Sequence, residues 1–305
     1  MDDAMVSVES LVLKYGARTA LDRVSFEVRE REIFGVLGPN GGGKSTLFKV
    51  LSTMLEPTAG WARVAGFDVE RQAAGVRPRI GVVFQSQSLD RKLTVEENLR
   101  AQGHLYGLRG AALADRMEEV VGRLGLADRR KELVEALSGG LRRRVEIAKG
   151  LLHRPAVLLM DEPSTGLDPG ARRELWRYID ELRRTQGITV LLTTHLLDEA
   201  DRCDRLALLH EGRLVAAGSP AELKARIGGD VVVLEVADPA EMQQKLEARL
   251  GVRAAARNGS LRVEIGNGHR FITEVVEAFP GAIQSVALHK PTLEDVFLDE
   301  TGAAL

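Results

Sequence analysis

The residues Gly38-Pro39-Asn40-Gly41-Gly42-Gly43-Lys44-Ser45 fit the pattern G-x-x-x-x-G-K-[ST], and each residue type in it has a chemical reason. Glycines free backbone N–H groups to wrap phosphate oxygens, Lys44 brings a cation to the β and γ positions, and the Ser45 hydroxyl is a ligand for Mg²⁺. An apolar run, Ile33–Leu37, precedes the loop and a helix-period stretch follows it, which separates the pattern from a chance glycine-rich turn. Val157-Leu158-Leu159-Met160-Asp161-Glu162 adds a buried strand ending in two carboxylates, where open α/β sheets bind ligands. Asp161 is placed to hold Mg²⁺, through water, because this hard cation keeps part of its hydration shell. Glu162, one residue on, points elsewhere and is the candidate to polarise an attacking water. Asp-Glu-Pro also ends strands that carry no chemistry; beside a phosphate loop the functional reading is preferred.

A third stretch raises a question of ownership. Ser138, Gly139 and Gly140 form a tight turn feeding a helix start, and such a start favours an anion through its unpaired N–H groups and the helix dipole. The chain already has a better phosphate cradle at Gly38–Ser45, so this second anion site lacks a nucleotide of its own. Arg142–Arg144, which follow, read as a solvated face of the helix.

The elements that must position these groups are legible in the apolar pattern. Short runs (Ile33–Leu37, Ile80–Phe84, Val157–Met160, Thr189–Thr193, Leu206–Leu209) alternate with longer charged, helix-period stretches through about residue 225. Continuous aliphatic runs predict strands buried on both faces, hence a parallel sheet with crossover helices. Val6–Leu13 and Val24–Val28 instead alternate apolar with polar, predicting an antiparallel region. Helical periodicity dominates about 88–152, a helical insert. We therefore expect an α/β domain over 1–227 and a second, smaller α+β domain over 228–305, split where IGGD interrupts the pattern. In the second domain VVVLEV is a strand, AEMQQKLEARL a helix, and two short strands meet at an Asn-Gly turn. HRFITEVVEAF is then a helix and AIQSVAL a strand, followed by a short helix around Leu293–Leu298. That β-α-β-β-α-β order is the split βαβ of a ferredoxin-like unit. It either binds a ligand or serves as a structural or dimer-contact appendage; with no clustered ligand set, the appendage reading is preferred.

Composition narrows the class. The 305 residues are 44% hydrophobic and 28% charged, with a net charge of −2, so no global basic field recruits nucleic acid or acidic lipid. One cysteine, Cys203, excludes an internal disulfide and fits a reducing compartment. The start, MDDAMVSVES, has no secretory h-region, and no apolar run is long enough to span a bilayer. A soluble intracellular chain is expected.

Over about residues 6–225 these motifs resemble the nucleotide-binding subunit of ATP-binding-cassette (ABC) transporters. In that family Leu137-Ser138-Gly139-Gly140 is the signature motif. The resemblance answers the question of ownership: it implies two copies packed head to tail, each signature capping the γ-phosphate of ATP held by the other's loop. It also implies that Thr46 belongs to the phosphate loop and that Gln85 senses Mg²⁺ and the attacking water. Ser164-Thr165-Gly166-Leu167-Asp168 matches the D-loop, where Asp168 would act across the dimer, and His195 in LLTTHLLDEA matches the switch histidine at the γ-phosphate. Tyr15 matches the aromatic that stacks on adenine, although a hairpin tyrosine also serves plain packing. Leu141 stands where the family usually has glutamine, and Gly42 where it has alanine or serine; neither removes a residue with an assigned role.

The implied activity is ATP hydrolysis that powers a separate transmembrane permease from the cytoplasmic face of the cell membrane. SQSLDRKLTVEENL after Gln85, RRRVEIAKGLLHRP after the signature and the C-terminal TLEDVFL resemble drug-resistance and ABC-2-type export subunits. Export of a drug, lipid, polysaccharide or ion is expected, with an importer subunit, or a non-transport ATPase acting on ribosome or DNA, as alternatives. Against nucleic acid stand the single cassette, the short path from Thr46 to Ser138 without heptads, and the lack of a basic stripe.

Overall fold

A computed structural model of the chain describes residues 4–257 and 259–303. It divides into two compact units, Met1–Ala217 and Gly218–Leu305. The boundary expected at 227/228 lies after the short helix that opens the second unit.

In the first unit, β1 (Ala4–Tyr15) and β2 (Arg18–Arg29) form a hairpin, followed by β3 (Ile33–Leu37) and α1 (Lys44–Leu51). Next come β4 (Ala59–Val64), β5 (Phe67–Asp68), α2 (Ala73–Val76) and β6 (Ile80–Val83), then the helices α3 (Val95–Leu105), α4 (Gly110–Arg123) and α5 (Gly139–Leu151). β7 (Val157–Asp161), α6 (Pro169–Gln186), β8 (Thr189–Thr194), α7 (Leu197–Ala200), β9 (Arg205–His210) and β10 (Arg213–Gly218) complete it. The main sheet has the order β10-β9-β3-β8-β7-β6, and the β9-β3-β8-β7-β6 neighbours run parallel. β3, β7 and β8 are buried at every residue, as their uninterrupted aliphatic runs require. The antiparallel sheet, β2-β1-β4-β5, gains two strands that the alternation pattern did not single out. Both sheets contribute to one core around α1, whose Leu47, Phe48, Val50 and Leu51 are fully buried.

Local rules set the helix ends near the site. Asp168 caps α6, Pro169 opens it, and Gly187 in the left-handed region (φ 66°) closes it. The stripe Leu175, Trp176, Ile179 and Leu182 faces the core. α3 opens the insert with a reciprocal capping box between Thr94 and Glu97. Thr94→Ala should therefore cost about 1 kcal/mol of stability, read as a lower urea midpoint; an unchanged midpoint would show that the insert does not depend on this cap.

The second unit contains α8 (Pro220–Ala225), β11 (Asp230–Val236), α9 (Pro239–Leu250), β12 (Ala254–Arg257), β13 (Ser260–Ile265), α10 (Gly268–Ala278), β14 (Ile283–His289) and α11 (Leu293–Thr301). Its antiparallel sheet has the order β12-β13-β11-β14, which is the expected ferredoxin-like arrangement. Asn258 of the expected Asn-Gly turn lies outside the described residues.

Candidate active site

The glycine loop bridges the carboxyl end of β3 and the start of α1. Gly41 and Gly43 take φ of 80° and 103°, values open to glycine at little cost. The Gly42 N–H closes the turn onto the Pro39 carbonyl at 3.1 Å, and the Gly212 N–H ties it down at the Gly42 carbonyl, 3.0 Å away. The loop borders a cavity of about 330 Å³ through Asn40, Gly41, Gly43, Lys44, Ser45 and Thr46. The first hairpin contributes Tyr15, Arg18 and Ala20, and the strand ends contribute Gln85 and Glu162. Arg18 carries no signal in the sequence, since it follows the hairpin turn as an ordinary polar residue.

Lys44 is buried. Its Nζ donates to the carbonyls of Gly38 (2.7 Å) and Pro39 (3.1 Å) and pairs with Glu162 Oε1 at 3.3 Å. Around Glu162 Oε2 gather His195 Nδ1 at 3.3 Å, the Thr165 hydroxyl at 3.1 Å and Gln85 Nε2 at 3.4 Å. Burial pushes the Glu162 carboxyl up, but the charges of Lys44 and His195 and the bonds from Lys44 and Thr165 outweigh it and hold it below the usual range. Glu162 itself sits at φ 45°, left-handed backbone that costs a non-glycine residue energy and that its surroundings must hold in place. Its N–H donates to the Thr193 hydroxyl (2.9 Å), which donates in turn to Asp161 Oδ1 at 2.6 Å. Asp161 is buried beneath the cavity network. Thr193 thus holds the Asp161 carboxylate and the Glu162 backbone together, a role hidden in an apolar strand.

Ser138, Gly140 and Asp168 lie elsewhere. With Leu141, Arg144 and Arg173 they border a cavity of about 500 Å³ that shares no lining residue with the first. Ser138 caps α5 by accepting the Leu141 N–H at 3.3 Å. The Asp168 carboxyl accepts the N–H groups of Ala171 (3.0 Å) and Gly170 (2.8 Å), and these bonds, Ala171 foremost, hold it below the ordinary range. Leu141, which stands where the family usually has glutamine, borders this second cavity.

The solvated reading of Arg142–Arg144 fails at its middle residue. Arg143 is buried and bonds to backbone at Phe84, Glu162 and Pro163. Helical phase turns it inward, where three consecutive arginines look alike in a sequence.

The ABC transporter family model matches residues 21–165, and a second, for the C-terminal domain of DrrA1-3-like ATP-binding proteins, matches residues 218–301. The chain is 41% identical, over 99% of its length and 97% of the relative's, to the daunorubicin resistance ATP-binding protein DrrA3 of Streptomyces coeruleorubidus. The chain belongs to the ATP-binding proteins of ABC transporters. It is also 40% identical to the Nod factor export ATP-binding protein I of Ralstonia nicotianae, covering 98% of this chain and 94% of that one. A dimeric ATP-binding cassette in a post-hydrolysis state, bound to ADP and Pi, superposes with a TM-score of 0.63. That match is at 27% identity and covers 70% of this chain and 98% of the other. As an ABC ATP-binding protein the chain is an ATP-hydrolysing transporter subunit with drug-resistance and export-type relatives. Among the described residues, no helix is long and apolar enough to cross a membrane.

Proposed function

We propose that this ABC subunit hydrolyses two ATP at the interface of a head-to-tail homodimer and drives export through a separate transmembrane permease. The observation that carries the reading is the separation of the two cavities: the loop, Lys44 and Glu162 border one, the signature and Asp168 the other. Each is half of a site, and a second copy turned end to end completes both.

Gly139 supports the same view. A Cβ there would meet nothing in its own chain closer than the Gly166 carbonyl at 4.0 Å. The bare backbone is thus not required by the monomer, and is what close approach of a partner's phosphate requires. Gly139→Ala should leave folding intact or stabilise it by about 0.4–1 kcal/mol. Hydrolysis should fall about 10–100-fold, the worth of one hydrogen bond to a charged group, while ATP binding holds. Wild-type turnover in this variant would count against the dimeric site.

On this reading ATP enters beside Tyr15, whose ring stacks on adenine, and the phosphates draw Lys44 Nζ from Glu162. Losing that cation raises the basicity of Glu162, which takes a proton from the attacking water; Gln85 orients the water, and His195 turns to the γ-phosphate. Lys44, His195 and the partner's Ser138 N-terminal turn stabilise charge on the transferring group. The Ser45 hydroxyl, Gln85 amide oxygen and Asp161 carboxylate are hard oxygen donors that suit Mg²⁺. An ion held there would supply positive charge to offset that of the phosphates.

The permease is expected at the cleft of about 580 Å³ beyond Gln85, lined by Phe84, Ser88, Tyr106, Glu146 and Lys149. This arrangement keeps the subunit on the cytoplasmic face of the membrane. The deciding experiment traps Glu162→Gln with Mg-ATP in source-cell membranes and identifies what co-purifies. Two copies of this chain with a multi-helix membrane protein are expected; an ATP-loaded monomer, or partners drawn from ribosome or DNA, would overturn the proposal.

A further inference from the structure

Gln85 and Glu162 are far apart in sequence, yet their side chains meet at 3.4 Å, and a single side chain holds the backbone of both. Arg143 Nη1 donates to the Phe84 carbonyl at 2.7 Å, in the peptide that leads into Gln85. Its Nη2 donates to the Glu162 carbonyl at 3.0 Å and its Nε to the Pro163 carbonyl at 2.6 Å. These two carbonyls follow directly on the left-handed Glu162, a conformation that persists only where its surroundings over-determine it. The guanidinium charge is matched by Glu146 Oε2 at 2.8 Å, and both side chains are nearly fully buried. Glu146 in turn accepts the Ser88 N–H at 2.9 Å, fixing the segment beyond Gln85 to the same helix.

A buried ion pair is weak support for stability, because desolvation offsets most of the Coulombic gain. The value of this one lies in geometry. A planar fork with five N–H donors reaches three carbonyls and a carboxylate at once, which an ammonium on a flexible stem does not reproduce.

We propose that Arg143 is a positioning residue for hydrolysis: one buried guanidinium, neutralised by Glu146, sets the backbone beside the base and beside the glutamine that faces the water. This rests on the reading of Glu162 as the base. Arg143 does not border the cavity of the glycine loop, so it acts on turnover and leaves the cradle for ATP alone.

The test uses the full chain and measures Mg-ATP affinity by fluorescent-nucleotide titration and kcat by phosphate release. Arg143→Gln should lower kcat about 10²-fold, the scale of an ångström-sized misplacement, with ATP affinity within about twofold. Arg143→Lys should recover only part of the loss. Because Arg143→Gln leaves Glu146 buried without its partner, Arg143→Met combined with Glu146→Leu is measured beside it, removing both charges. That double variant should show the same kcat loss with ATP affinity kept. In a Glu162→Gln background, Arg143→Gln should add far less than its loss in the wild type, since most of its effect acts through Glu162 and only the remainder through Gln85.

Wild-type kcat in the double variant would overturn the proposal by showing that only charge balance mattered. Loss of ATP affinity in step with kcat, or losses that multiply with Glu162→Gln, would overturn it by showing a general structural role. Near-wild-type turnover of Glu162→Gln alone would remove the base and this proposal with it, a result distinct from any Arg143 variant.

Discussion

Glu162→Gln is expected to bind ATP almost as the wild type does and to hydrolyse it about 10²–10⁴-fold more slowly, the usual worth of a positioned general base. Binding survives because the amide keeps the size of the carboxyl and can still accept from Thr165, while Lys44 retains the Gly38 and Pro39 carbonyls. No buried cation is left without acceptors, so the stability cost that follows a broken buried pair is largely avoided. Turnover falls because glutamine cannot take the proton. Against the upward push of burial, Lys44 and His195 hold the Glu162 carboxyl below its ordinary range, a poor setting for a base, so the full effect needs Lys44 drawn away from Glu162. Single-turnover phosphate release at saturating Mg-ATP measures the chemical step directly. A rate above about a tenth of wild type would mean that another group takes the proton.

Gly38→Ala should be nearly as damaging by a different route. A Cβ at Gly38 would stand 2.1 Å from the Leu209 carbonyl, a main-chain atom of β9 that is held in the sheet. No flexible side chain can move aside, so the loop must lift or the strand must shift. Such overpacking costs about 1–3 kcal/mol of stability. The Gly38 carbonyl is also one of the two acceptors of Lys44, so a lifted loop carries the lysine away from the phosphate position. ATP affinity should drop about 10²-fold. Gly41→Ala is the informative comparison: its φ is 80° with nothing within 4 Å of an added Cβ, so only backbone strain is introduced. Nucleotide titration and urea unfolding of the two variants separate collision from strain. Equal losses in both would refute the collision with Leu209.

How much of this was legible in the chain alone depended on range. β3, β7 and β8 declare themselves because burial on both faces demands uninterrupted aliphatic runs, a property of consecutive residues. The ferredoxin-like order of the second unit was readable for the same reason, each element carrying its own period. AGWARV of β4 is neither a continuous aliphatic run nor a clean alternation; its place follows from pairing with β1, where Glu9 faces Trp61. The α5 arginines show the same limit within one helix. Their types were plain, but which one turns inward depended on carbonyls supplied by Phe84, Glu162 and Pro163.

The sequence by itself determined which residue types stand where: a glycine loop ending in Lys44 and Ser45, two carboxylates at a strand end, and a Ser-Gly-Gly helix start at Ser138. Ligand types and short spacings are local facts. Only the tertiary structure decided that Glu162 meets Lys44, His195 and Gln85 at one point, that the Ser138 turn lies in another cavity with Asp168, and that Arg143 and Leu209 bear on the site through backbone. Carbonyls and N–H groups are the same at every residue, so no sequence pattern marks which of them will be met. Folding alone brings the strand ends together and gives those common groups their particular partners.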